Sequence, residues 1–104
     1  MPQFDVLRNP SSETASWAPY LIVLQTDLLS ELGTVVVAPL VREAEFGRTA
    51  TTLNPVFEVD GQRVVLSVAE LAGVSRRLLG ERIGTLAARR DEIIAAVDLL
   101  FTGI

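Results

Sequence analysis

The segment VFEVDGQRVVLSV, residues 56–68, constrains the fold more than any other part of the chain. Asp60-Gly61 stands between two apolar, β-branched runs, and a type I′ turn needs positive φ at both central positions, which Asp-Gly tolerates. The segment is therefore predicted to be a β-hairpin.

Other runs carry the same signature. QFDVLR, residues 3–8, alternates Phe4 and Val6 against Gln3 and Asp5, the period of a half-buried strand. YLIVLQ (20–25) and TVVVAPLV (34–41) are apolar runs of strand length, the second expected to bend near Pro39, which cannot donate to a ladder. NPSSETAS (9–16) reads as a mobile polar loop, and Arg42–Asn54 as an irregular excursion or short strands. Leu28 and Leu29 are adjacent in TDLLSELG, so at least one should lie near the surface. Glu70–Gly84 carries Gly73, Gly80 and Gly84 and reads as a connector with one short strand.

From about Leu86 the period changes. Ile93, Ile94, Val97, Leu100, Phe101 and Ile104 make an apolar stripe at helical spacing. Thr85 can cap its start, Asp91 and Glu92 suit the positive end of the helix dipole, and Gly103 marks its end. Strands first and one helix last is an α+β plan, mainly β.

At 104 residues the chain suits a single domain, 1–104, able to bury about two thirds of its unfolded surface. Its apolar fraction of 49% and mean hydropathy of +0.39 leave apolar side chains over once such a core is filled. That surplus implies a subunit interface, most simply a homodimer. The ending LLFTGI sharpens the point, since each buried Leu, Ile or Phe stabilises by roughly 1.5–3 kcal/mol and an exposed cluster invites aggregation. Such an ending must either finish the chain's own core or meet a partner.

The residues that are missing exclude whole classes of chemistry. With no Cys and no His, Ser-His-Asp and Cys-His catalysis, the usual neutral-pH base and most transition-metal sites fall away, so no metal or cofactor is expected. All nine basic residues are Arg, which removes a Walker lysine and Schiff-base chemistry. A net charge of −4 without a basic stripe argues against direct nucleic-acid binding. The start MPQFDVLRNP is unlike a signal peptide and no apolar run reaches membrane-spanning length, so a cytoplasmic location without membrane contact is the expectation.

Three groups of side chains could still do chemistry. Glu43 with Glu45, and Asp91 with Glu92, are carboxylate pairs of the kind used as acid and base, though solvated charges are the commoner role without a His to organise them. Arg76, Arg77 and Arg82 could hold an RNA phosphate, against which stand the acidic chain and the scarcity of aromatics for base stacking. Trp17, the only Trp, reads as an edge packing residue rather than a binding anchor.

Taken together, several segments resemble the CcdB toxins of bacterial toxin–antitoxin modules, which poison DNA gyrase. Gln3-Phe4 with Val6 opens the likeness. Gln25-Thr26-Asp27-Leu28-Leu29 matches a family Gln-Ser-Asp followed by two Ile, and Val37-Ala38-Pro39-Leu40 matches Val-Ile-Pro-Leu. Pro55-Val56 precedes the hairpin, and AAVDLLFTGI (95–104) parallels an ending like AINLMFWGI. The resemblance implies an SH3-like barrel of antiparallel strands with one C-terminal α-helix, paired as a two-fold dimer. It implies a non-enzymatic mechanism, in which the dimer binds the gyrase A subunit and traps the cleaved DNA complex. A CcdA-like antitoxin would neutralise the toxin and repress the operon with it. Carried over residue by residue, the gyrase-binding surface is Leu28, Leu29, Asp98, Phe101, Thr102, Gly103 and Ile104, which leaves Leu99 and Leu100 mainly for the core or a dimer contact and puts Phe101 and Ile104 nearer the recognition surface. Asp98 stands where the family has Asn, and Thr102 where it has its anchoring Trp; losing an aromatic hot spot costs about 2 kcal/mol or more, roughly thirtyfold in affinity. Two alternatives remain: an endoribonuclease like the MazF toxins on the same barrel, using the Arg cluster, and a non-toxic relic that still binds antitoxin.

Overall fold

The computed structural model describes residues 1–103. Its strands are β1 (Asp5–Arg8), β2 (Tyr20–Val23), β3 (Thr34–Arg42), β4 (Val56–Val59), β5 (Gln62–Leu66), β6 (Ala72–Ser75) and β7 (Arg82–Thr85), with a single helical turn α1 (Glu43–Phe46) and the helix α2 (Arg90–Thr102). All pairings are antiparallel, in the order β4-β5-β3-β2-β1-β7, with β6 also on β3. β4 and β7 face each other across a small cleft without pairing, so the sheet curls into a half-open barrel. The mainly β, α+β barrel with one C-terminal helix is the fold the sequence implied. No helix among the described residues is long and apolar enough to cross a membrane.

The hairpin lies where the sequence puts it. Val59 pairs with Gln62, and Asp60 (φ 51°) and Gly61 (φ 80°) take the left-handed conformation that lets a two-residue turn follow the twist of its strands.

Pro39 sits inside a continuous β3, where it does not break the pairing with β2. Residues 34–37 pair with β6 and residues 40–42 with β5, so β3 changes partner along this edge just where proline interrupts it. The Pro39 carbonyl accepts from Ser67 N (3.0 Å) on that same edge. In an antiparallel strand the N and O of one residue point to the same side, so the missing donor falls at the gap between β5 and β6.

Two layers of apolar side chains flank the sheet. The larger holds Phe4, Val6, Tyr20, Ile22, Leu40, Phe57, Val64, Leu66, Ile93 and Ala96, the last two from α2. The smaller holds Leu7, Val23, Val35 and Val37 on the opposite face. β1 is therefore buried on both sides, and Asp5, expected at the surface, is 1% exposed. Arg82 on β7 resolves the conflict by pairing with its carboxylate (Nε–Oδ2, 2.9 Å).

Four further expectations are revised. The polar loop after β1 is tied down, because the buried Asn9 amide donates to Ala18 O and Thr14 Oγ1, both at 2.8 Å. The excursion after β3 opens with the helical turn α1. Glu70–Gly84 supplies two strands, β6 and β7, rather than one. Thr85 does not cap α2: its Oγ1 accepts from Ala87 N (3.1 Å), a 3-10 turn over Ala87–Arg89 intervenes, and α2 starts after Arg89 without a side-chain cap. Asp91 and Glu92 do fill its first turn, and Gly103 (φ 74°) closes it through Gly103 N to Leu99 O (3.1 Å).

Candidate functional site

Helix α2 buries only one of its faces. Ile93 and Ala96 are sealed into the core, Ile94, Val97 and Leu100 are half-buried against it, and Phe101 is 66% exposed. Leu99 is half-buried. The expected division thus holds for Leu100 and Phe101: the former packs on the core and the latter faces solvent.

A groove of about 350 Å³ opens beside this helix face. Phe4 and Ile93 lie at its core side, Ile94, Val97 and Phe101 come from α2, Leu24 to Thr26 and Leu29 from the chain after β2, and Val36 and Leu71 complete it. Almost every contributor is apolar, the exceptions being Gln25 and Thr26. Such a lining offers shape and burial to a partner.

The turn after β2 forms the other rim. A 3-10 turn over Asp27–Leu29 projects Leu28, 91% exposed, with Leu29 at 46% and Leu32 at 49%. Both leucines of the pair are therefore at the surface, where only one was required. Polar bonds fix the turn. Thr26 Oγ1 accepts from Leu28 N (3.3 Å), Gln3 N donates to the Asp27 carboxylate (2.6 Å), and Gln25 Oε1 accepts from Val36 N (3.1 Å).

The structure brings Leu29 and Phe101 to one groove. Leu28 stands on the same turn but does not line that groove. Asp98, Thr102 and Gly103 are exposed at the end of α2, and the Thr102 hydroxyl bonds back to Asp98 O (2.8 Å). Ile104 lies outside the described residues. Sequence reasoning missed Phe4, Leu24, Val36 and Leu71 as groove residues, because segments far apart in the chain supply them and nothing local marks the meeting. Gln25 and Thr26 carried a signal, since they stand in the resemblance beside Leu28 and Leu29.

Glu43, Glu92, Arg76 and Arg82 among the other candidate groups have structural partners. Arg63 donates to both Glu43 oxygens (2.9 and 3.1 Å), and Arg89 to both Glu92 oxygens (2.6 Å each). Hydrogen bonds from these guanidinium groups hold both carboxyls below their ordinary range, so neither keeps a proton to donate near neutrality. Of the three arginines considered for phosphate, Arg82 pairs with Asp5, and Arg76 bonds the carbonyls of Leu29 and Leu32. Trp17 is half-buried beside Leu21, Val37 and Pro39 on the outer face, in keeping with a packing role.

An open antiparallel barrel with an apolar groove between its C-terminal helix and one projecting turn defines the class: a small β-barrel protein with an apolar surface groove. The model of the CcdB protein family matches residues 3–103, and the chain belongs to that family of toxin–antitoxin toxins. Comparison with the curated proteins gives no match.

Proposed function

We propose that this chain is a CcdB-like toxin that binds the DNA gyrase A subunit and traps the gyrase–DNA cleavage complex. It acts by recognition, without making or breaking bonds itself. The observation that carries the reading is the exposure of Leu28, Leu29 and Phe101 at the positions where the family resemblance puts gyrase contacts. Large apolar side chains held out in water are the usual mark of a partner surface, and aromatic anchors dominate such interfaces. Asp98, Thr102 and Gly103, exposed at the end of α2, belong to the same proposed contact set, as does Ile104. The working form is a two-fold homodimer of the single domain 1–104, located in the cytoplasm, and a CcdA-like antitoxin covers the same surface.

The endoribonuclease alternative needs free cations for RNA phosphate. Arg76 and Arg82 are engaged within the chain, which removes two of the three groups it relied on. The test is a purified reaction holding gyrase, supercoiled DNA and the full chain, alongside a second holding RNA alone. Linearised DNA after denaturation, lost on deleting Thr102–Ile104, is the expected outcome. Cleaved RNA with no trapped DNA breaks would overturn the proposal.

A further inference from the structure

The turn that projects Leu28 has almost no packing of its own: none of Asp27, Leu28 and Leu29 is buried. Its conformation must therefore be held by bonds, and one carbonyl gathers them. Leu29 O accepts from Leu32 N (3.1 Å), Gln25 Nε2 (3.4 Å) and Arg76 Nη2 (3.3 Å). The same guanidinium donates Nε to Leu32 O (2.5 Å), and Arg76 N donates to Gly33 O (3.1 Å). Arg76 thus binds three successive points of the segment 29–33 from a position more than forty residues away in the chain, just after β6.

We infer that Arg76 is a positioning residue for the recognition turn, and that its guanidinium fixes the outward presentation of Leu28 and Leu29. A charged donor on a backbone carbonyl is among the stronger hydrogen bonds, and a planar fork that satisfies two carbonyls also sets their relative orientation. Unlatched, the turn would have to be ordered at the moment of binding, and a partner's affinity would fall by that ordering cost. Lysine's ammonium has three donors but no planar fork, so it can reach a carbonyl without fixing the angle between two. The inference rests on the proposed role of this turn in gyrase recognition.

The experiment compares the full chain with Arg76→Met, Arg76→Lys, Arg77→Met and Leu28→Ala. Arg77→Met removes the same charge one residue away. Two quantities are read: amide hydrogen exchange at Leu29, Ser30 and Leu32, whose N–H groups bond within the turn, and potency in trapping gyrase–DNA breaks. Arg76→Met is expected to speed exchange at those amides and to weaken potency, each by about tenfold. Sheet amides and the melting temperature should hold, Arg76→Lys should fall between, and Arg77→Met should match the parent chain. Unchanged turn exchange in Arg76→Met overturns the latch, as does faster exchange with full potency when Leu28→Ala loses potency. If Leu28→Ala keeps full potency, the gyrase reading of the turn fails, while the exchange data still decide whether Arg76 holds it.

Discussion

The two rims of the groove reach the surface by different physics. The end of α2 is a local structure: backbone bonds within the helix run up to Thr102, Gly103 supplies a left-handed cap, and Ile93 and Ala96 fasten the helix to the core. The Asp27–Leu29 turn has no buried residue and is held by Gln3, Gln25 and Arg76, two of which lie far off in the chain. A surface that must offer large apolar groups to water can keep them in place either by rooting a helix in the core or by tying a turn with charged and polar bonds. This chain does one on each side.

The largest expected effect attacks the root. Ile93→Ala removes a fully buried side chain under α2 and should cost about 2–5 kcal/mol in urea unfolding. A loss below about 1 kcal/mol would mean that the helix is not fastened as described. Next comes Phe101→Ala, which should leave unfolding nearly untouched because the ring is mostly exposed. It should weaken gyrase A binding by about 2 kcal/mol, roughly thirtyfold. Thr102→Trp is the converse: restoring an aromatic at this exposed position should strengthen binding by a comparable factor, read by titration calorimetry. Gly103→Ala forces a side chain onto a positive φ and should cost about 1 kcal/mol of stability, measured as a small fall in melting temperature.

The smallest effect is electrostatic. Glu92, bonded to Arg89 at the start of α2, has its carboxyl pKa lowered by folding. Its contribution is fully present above the ordinary value of 4.5 and fades as pH falls through the lower folded value. Both side chains are about half exposed, so screening keeps the effect slight. Glu92→Gln should be slightly less stable than the parent near neutral pH, with the difference closing as pH falls below about 4.5.

The same contrast explains what could be read in advance. Elements whose cause is local were legible: Asp60-Gly61 named the hairpin, the 3.6 period named α2, and Gly103 named its end. β6 and β7 were not, because each is four residues with a glycine inside, and only the neighbours β3 and β1 make them strands. Asp5 looked like a surface residue because alternation cannot reveal Arg82 arriving from β7. Thr85 had the right chemistry for a cap but was spent on a 3-10 turn that hydropathy does not mark. Of the candidate site, the helix rim was visible as an apolar ending, and the pair Leu28-Leu29 as two leucines that could not both be buried. The meeting of Leu29 and Phe101 in one groove depends on Phe4 and Val36, which read as strand residues, and on Leu71, which reads as part of a connector.

On the proposed reading, Leu28 and Phe101 are held in water for a partner to grip. Calorimetric titration of the gyrase A subunit with the full chain, Leu28→Ala, Phe101→Ala and the double variant tests it most directly. Saturable binding by the parent is expected, with a loss of roughly thirtyfold for Phe101→Ala and a further loss in the double variant, all four proteins being equally folded. Binding by the double variant as tight as the parent's would contradict it.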